Sequence, residues 1–320
     1  MGVLETGWGL DVILWFQSWR TPLVTSLAMV FHYLGITEFY ILVLPFVYWS
    51  LDEKLGRRLG VLIALTAWVV GWAKSLFGRP RPYFISSDVS NMVEETSYGL
   101  PSGHAQGATS LAGFAAWHAR RAWVTVAAVL YILLMAASRM VLGVHYPQDV
   151  ASGILIALVL LALYAWLEPR IADWLAGLSL GSHLALIVGI TALMIIIHPV
   201  LFEATSPQWL SPPVPPQDLI ESALSTSALF FGMTLGFALD WHYQRFSAGG
   251  DWTKRLLRFL IGFVGVGVLE FGLGAVLPEN AVFAFVSYAL IGLWVGVGAP
   301  WLFVVTRLAS AQINATRQPA

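Results

Sequence analysis

Three short polar clusters interrupt an otherwise apolar sequence of 320 residues, and each contains side chains suited to holding or attacking an oxyanion. The first is KSLFGRPRP, Lys74 to Pro82, in which six residues separate Lys74 from Arg81. The second is PSGH, Pro101 to His104, and the third is SRMVLGVHYPQD, Ser138 to Asp149, which contains Arg139, His145 and Asp149. Three cationic side chains and a Ser102-Gly103 turn at a helix N-terminus concentrate positive potential, because free backbone N–H groups and the helix dipole add to the Lys and Arg charges. A phosphate is the natural guest. Two histidines then supply what phosphoryl transfer still lacks, a nucleophile and a proton donor for the leaving oxygen. His145 and Asp149 are four residues apart, which on a helix puts them on one face. A carboxylate on one ring nitrogen fixes the tautomer and leaves the other nitrogen to attack. His145 is therefore the expected nucleophile. His104, with no carboxylate nearby in sequence, is the expected acid for the leaving group and later the base for water.

The elements that must position these residues are membrane helices. The chain is 58% hydrophobic and only 11% charged, against about 25% charge in an average soluble domain. Repeated apolar runs of roughly 20 residues match the length needed to cross the hydrocarbon core. The reading is all-α and polytopic, with an amphipathic helix at Trp8 to Arg20 lying at the interface. Spans follow near 21–34, 37–51, 56–77, 104–119, 122–142, 147–167, 180–202, 220–239, 256–277 and 281–306, about ten in all. The first two and the fourth are short, so nine crossings with one re-entrant segment is the alternative. With the N-terminus inside, alternation assigns 13 of the 17 basic residues, Arg20 among them, to the cytoplasmic side and leaves Lys74, Arg79, Arg81 and Arg139 outside. Lys and Arg favour cytoplasmic loops, so an anionic ligand would explain these four. The absence of Cys excludes disulfides, thiolate metal sites and a cysteine nucleophile, and a net charge of -1 offers no footprint for nucleic acid.

The pattern Lys, six residues, Arg-Pro, then PSGH, then Ser-Arg, five residues, His, three residues, Asp resembles the three-part signature of the type 2 phosphatidate phosphatase superfamily. It is complete at every motif position. The resemblance implies a phosphohistidine on His145, His104 as acid and base, and Asp149 orienting His145. It implies that Lys74, Arg81, Ser102, Gly103 and Arg139 hold the phosphoryl group, with no metal and no cofactor. It also implies a six-span helical bundle with its site at the outer membrane face. The stretch SGHAQ looks like that of the bacterial lipid phosphatases, which implies a bacterial plasma membrane, and the charge alternation puts both termini on the cytoplasmic side. There is also some likeness to sphingoid-phosphate phosphatases. The expected substrate is a phosphomonoester or diphosphate of an amphiphile, such as phosphatidate, a polyprenyl diphosphate or a sphingoid phosphate.

The resemblance covers about residues 10–168, which divides the chain into an interfacial segment 1–20, a core 21–168 and a C-terminal region 169–320 of about four extra spans. Glu270, a carboxylate in an apolar span, marks a candidate site there. Those spans admit a lipid-facing buttress, a surface for a homo-oligomer, or a lipid transporter fused to the phosphatase core. Within the core, a phosphotransferase that passes the phosphoryl group to a second hydroxyl is the rival reaction. Gly262, Gly265, Gly267 and the Gly292 to Gly296 spacing suggest close helix packing. Asp88, Glu94 and Glu95 read as a solvated loop face, not metal ligands. Arg79 stands between a phosphate contact and headgroup exposure. His32, His118, His183, His198 and His242 read as interfacial or capping residues.

Overall fold

Helix starts follow side-chain caps written in the sequence, which satisfy backbone N–H groups that neither lipid nor the helix itself can serve. The computed structural model describes residues 7–201, 216–243, 246–278 and 280–311. Thr21 accepts from Val24 N–H at the start of α2, with Pro22 at its first position. Ser179, Asp251 and Asn280 cap later helices in the same way. The chain forms α1 (Trp8–Ser18), α2 (Pro22–Tyr33), α3 (Thr37–Phe46), α4 (Glu53–Phe77), the single turn α5 (Pro82–Ile85), α6 (Gly103–Ala119), α7 (Ala122–Val141) and α8 (Pro147–Ala176). It continues through α9 (Leu180–Ile196), α10 (Pro216–Tyr243), α11 (Trp252–Val276), α12 (Ala281–Leu293) and α13 (Ala299–Val305). Single π turns at Val47–Leu51 and Trp294–Gly298 adjoin Pro45 and Pro300, whose missing N–H groups break the regular ladder. The only strands among the described residues, β1 (Phe246–Ser247) and β2 (Ser310–Ala311), pair antiparallel.

Not all of the roughly ten expected spans are full-length helices. Six segments among the described residues are long and apolar enough to span a membrane: Glu53–Ile85, Ala122–Val141, Pro147–Ala176, Ile220–Tyr243, Trp252–Val276 and Ala281–Val305. The two short N-terminal runs form one pair bent by 56°, a seventh candidate when the pair is taken as one span. The cause lies at Leu34 and Gly35, where the chain turns after only 12 residues of α2. α6 and α9 have 17 residues each. The additional C-terminal helices are present as α9, α10, α11 and the α12–α13 run.

Two compact units divide the chain, and neither is contiguous. The first comprises residues 1–40, 65–169 and 198–223, and the second 41–64, 170–197 and 224–320. In the first, α6 lies along α7, which also receives α1 and α2. The α6 interior is unusually polar for a membrane helix. Gln106, Thr109 and Ser110 are wholly buried, and Thr66 Oγ1 and Ser110 Oγ share a hydrogen bond of 2.9 Å. α1 buries Ile13 against Val89 and Tyr146 while Trp8, Trp15 and Trp19 stay exposed, as an interfacial helix should.

One placement from the charge tally is overturned here. Arg20, assigned to the face opposite the polar clusters, donates to Val141 O at 2.7 Å and to Ser90 O at 2.6 Å. It sits at the same end as those clusters, because the α2–α3 pair bends where simple alternation counts two crossings. In the second unit the glycine reading holds at most positions. A Cβ on Gly262 or Gly265 would run into the Trp49 or Trp294 ring, and Gly296 lies 2.8 Å from Gly236 Cα by the same construction. Nothing approaches Gly267. Arg258 is wholly buried and donates to Ala248 O at 2.5 Å and Gly249 O at 2.9 Å, a structural role for a buried guanidinium.

Candidate active site

The three polar clusters meet in the first unit, at the C-terminal ends of α4 and α7 and the N-terminal ends of α6 and α8. Ser102 N–H donates to Asp149 O at 2.9 Å, tying the starts of α6 and α8 together. Gly153 permits that approach, since a Cβ there would stand 2.6 Å from Ser102 O. His145 is reached through a turn at Gly143, whose φ of +74° and closeness to Ser90 O leave no room for a side chain.

His145 and Asp149 do not share a helix, contrary to the spacing argument. α8 begins at Pro147, so His145 precedes the helix and Asp149 lies in its first turn. The contact forms through capping. Asp149 Oδ2 accepts from Tyr146 N–H at 2.9 Å, as a third-position carboxylate does in a capping box, and stands 3.3 Å from His145 Nδ1. The other ring nitrogen, Nε2, is 3.2 Å from Arg81 Nη1. With the proton on Nδ1 facing the carboxylate, Nε2 carries the free electron pair. Burial lowers the His145 pKa well below the usual imidazole value, and the Arg81, Lys74 and Arg139 charges lower it further.

Arg81 and Arg139 are wholly buried and Lys74 nearly so. Lys74 Nζ donates to Ser97 Oγ at 2.7 Å and Tyr98 O at 2.6 Å. Arg81 donates to Ser97 O and Val144 O. Arg139 Nη1 contacts His32 Nδ1 at 3.2 Å, while its Nη2 is buried without a hydrogen-bond partner. That buried donor, beside two further cationic side chains, suits an oxyanion. Ser102 Oγ accepts from Ala105 N–H as the α6 cap, and Gly103 opens that helix. His104, the second residue of α6, is largely buried, and its Nε2 also lacks a partner. Arg79 is exposed, and its carbonyl accepts from Gly99 N–H. Glu270 belongs to the second unit and is exposed on α11.

Two residues belong to this cavity that the sequence reading placed elsewhere. His32, read as interfacial, stacks on His104 with ring centroids 5.1 Å apart and 17° between planes. Glu95, read as part of a solvated loop, has a side chain only 18% exposed and pairs with Arg81 Nη2 at 3.3 Å. Burial pushes its carboxyl upward, but the Arg81, Lys74 and Arg139 charges outweigh burial and hold it below the usual carboxylate range. Neither displacement was visible locally: each depends on where α2 and the α5–α6 loop are carried in space. His32, Glu95 and His104 offer ligand atoms within 4.8 Å of one another. His32 and Glu95 are already engaged by guanidinium groups, however, and a cation would stand among three fixed positive charges. The donor set therefore suits an anion, not a metal.

Two family descriptions match separate segments of the chain. Residues 55–173 match the PAP2 superfamily, and residues 224–311 match a family described as the PAP2 superfamily phosphatase, transmembrane extension. The chain is 33% identical over 138 residues to sphingosine-1-phosphate phosphatase 2 of Mus musculus, covering 41% of this chain and 38% of that protein. It is 34% identical over 85 residues to phosphatidylglycerophosphatase B of Escherichia coli (strain K12), covering 26% of this chain and 34% of that protein. Among solved structures it is similar to Aquifex aeolicus LpxE, with a TM-score of 0.48 and 25% identity over 52% of this chain and 99% of that one. The chain thus spans well under half the length of either curated relative. With the three motif clusters gathered at one end of a helical membrane unit and both matched segments in order, residues 55–173 are those of a PAP2 superfamily domain and residues 224–311 those of its transmembrane extension.

Proposed function

We propose that this protein is a membrane lipid phosphatase that removes a phosphoryl group from an amphiphilic phosphomonoester or diphosphate through a phosphohistidine on His145. The observation that carries the reading is the buried His145 ring, with Asp149 3.3 Å from Nδ1 and the Arg81 guanidinium 3.2 Å from Nε2. A substrate phosphate takes the Arg81, Lys74 and Arg139 donors and frees Nε2. Nε2 attacks phosphorus, the P–O bond to the lipid breaks, and protonated His104 gives its proton to the departing oxygen. Water then attacks the phosphohistidine while neutral His104 accepts its proton. The P–N bond breaks, inorganic phosphate leaves, and His104 is protonated again for the next cycle. No step requires a metal.

The motif cavity binds the phosphoryl group common to phosphatidate, polyprenyl diphosphates and sphingoid phosphates. The similarity to sphingosine-1-phosphate phosphatase 2 favours testing sphingoid phosphates first. An extracytoplasmic site is supported by Arg120 and Arg121. They lie at the α6–α7 turn, whose helices carry His104 and Arg139 at their opposite ends, and positive loops favour the cytoplasm.

The test is inorganic phosphate release by the purified full chain in detergent from those three lipid classes, with His145→Ala alongside and with EDTA. Release that disappears in His145→Ala and persists in EDTA is expected. Undiminished release by the variant, or loss in EDTA restored by a divalent ion, would overturn the mechanism.

A further inference from the structure

Glu95 is a carboxylate set among the buried cations Arg81, Lys74 and Arg139, and the reaction above gives it no role. Its two oxygens face different partners. Oε2 accepts from Arg81 Nη2 at 3.3 Å, whereas Oε1 is buried without a hydrogen-bond partner and stands 3.9 Å from His104 Nδ1. That gap is within ion-pair reach and too long for a hydrogen bond. On the far side of the same ring, His104 Nε2 is buried and unpartnered. His32 stacks on the ring, and the Gly35 backbone closes behind it. His104 thus has a fixed plane, one nitrogen facing a carboxylate and the other facing the cavity. His145 has the same arrangement with Asp149.

We propose that Glu95 is the positioning residue of a second carboxylate–histidine dyad, and that it is handed from Arg81 to His104 when substrate arrives. The carboxylate pairs with Arg81, a donor that a phosphate oxygen would also take. A phosphoryl group that takes Arg81 releases Oε2, and the side chain closes the 3.9 Å gap to His104 Nδ1. The proton on Nε2 then points at the leaving oxygen. The acid is completed only when a phosphate is present to be cleaved. The inference rests on the phosphohistidine reading given above.

The handover predicts effects of opposite sign from one substitution. Glu95→Gln removes the negative charge that competes with phosphate for Arg81, so an oxyanion should bind more tightly. The same change removes the carboxylate that stabilises the His104 imidazolium, so turnover should fall. The charged or titratable groups facing His104 are Glu95 from the α5–α6 loop, His32 from α2, Lys74 from α4, Arg81 ahead of α5, Arg139 from α7 and His145 ahead of α8. Glu95 is the only anion in that set. Its loss should therefore displace to lower pH the alkaline limb that reports protonated His104.

The experiment compares wild type, Glu95→Gln, Glu95→Asp and His145→Ala, all as purified full chains, using phosphate release, its pH profile and inhibition by orthovanadate. For Glu95→Gln, kcat should fall about 10- to 100-fold. Its vanadate inhibition should tighten about threefold or more, and the alkaline limb of kcat/KM should move down by about one pH unit. Glu95→Asp, which keeps the charge, should hold the limb near its wild-type position. Vanadate inhibition weakened in parallel with kcat would show a merely structural role and overturn the proposal. So would an unchanged pH profile in Glu95→Gln, or a limb displaced equally in Glu95→Asp. The two readings fail separately. A wild type that releases no phosphate defeats the phosphohistidine reading, whereas an active wild type with an inactive His145→Ala and an indifferent Glu95→Gln defeats only the handover.

Discussion

Asp149→Asn tests the nucleophile most sharply, because the structure assigns one carboxylate oxygen two duties that the substitution separates. Oδ2 accepts from Tyr146 N–H at 2.9 Å and faces His145 Nδ1 at 3.3 Å. An asparagine can keep its oxygen on Tyr146 N–H, so the start of α8 should survive with a stability change of about 1 kcal/mol or less. What it cannot supply is the charge. A hydrogen bond to a charged group contributes about 1.5–3 kcal/mol, which is about 10- to 150-fold in rate if it is felt in the transition state. Should the amide N–H turn to Nδ1, the ring proton is driven to Nε2 and the attacking electron pair disappears. The same substitution in a Ser-His-Asp triad costs about 10⁴-fold for that reason. The expected fall in kcat is therefore about 10²- to 10⁴-fold, not abolition.

Asp149→Ala, by contrast, removes the acceptor of both groups in a buried site, at about 1–3 kcal/mol for each, and should lower the thermal midpoint as well. The assay is phosphate release at saturating lipid together with an alkaline quench that preserves phosphohistidine, alongside thermal unfolding of each variant in detergent. Asp149→Asn within threefold of wild type, or as destabilised as Asp149→Ala, would refute the reasoning.

Three further outcomes follow from the geometry. Because burial and the neighbouring cations depress the His145 pKa, Nε2 stays unprotonated until the pH falls well below the ordinary imidazole value of about 6.5. The acid limb of kcat/KM set by this group should lie below that pH, and a limb at or above it contradicts the burial seen here. Gly35→Ala places a methyl group against the His104 ring and 3.1 Å from Met135 Cε. Displacing the acid should lower kcat by about 10²-fold while vanadate inhibition stays within threefold, and vanadate binding that falls in step with kcat would show general disruption instead. Ser87 is exposed on the α5–α6 loop of a chain without cysteine, so Ser87→Cys should react with an impermeant maleimide on intact cells. Labelling only after permeabilisation would invert the proposed orientation.

The polar clusters were legible in the sequence because they are written in rare residue types at span ends. In a chain with 11% charged residues, Lys74, Arg81, Arg139, His104, His145 and Asp149 stand out, and desolvating them without a ligand would be costly. The four C-terminal hydrophobic helices and the close packing at Gly262, Gly265, Gly292 and Gly296 were legible for the same kind of reason, since apolar length and small-residue spacing are local properties. What lay beyond sequence was everything set by the path of a loop or the bend of a short helix. Glu95 reads as one more loop carboxylate until the α5–α6 connection folds it onto Arg81, and His32 reads as a helix-end histidine until the turn at Gly35 stacks it on His104. Arg20 was assigned to the wrong end because alternation counts hydrophobic runs and cannot see a 56° bend. Composition and spacing determine which chemistry a chain can perform and what solvent surrounds it. Only the tertiary path brings together groups with no local relation in sequence, and here that path sets the Glu95 carboxylate beside His104 in a cluster whose motif members were already visible.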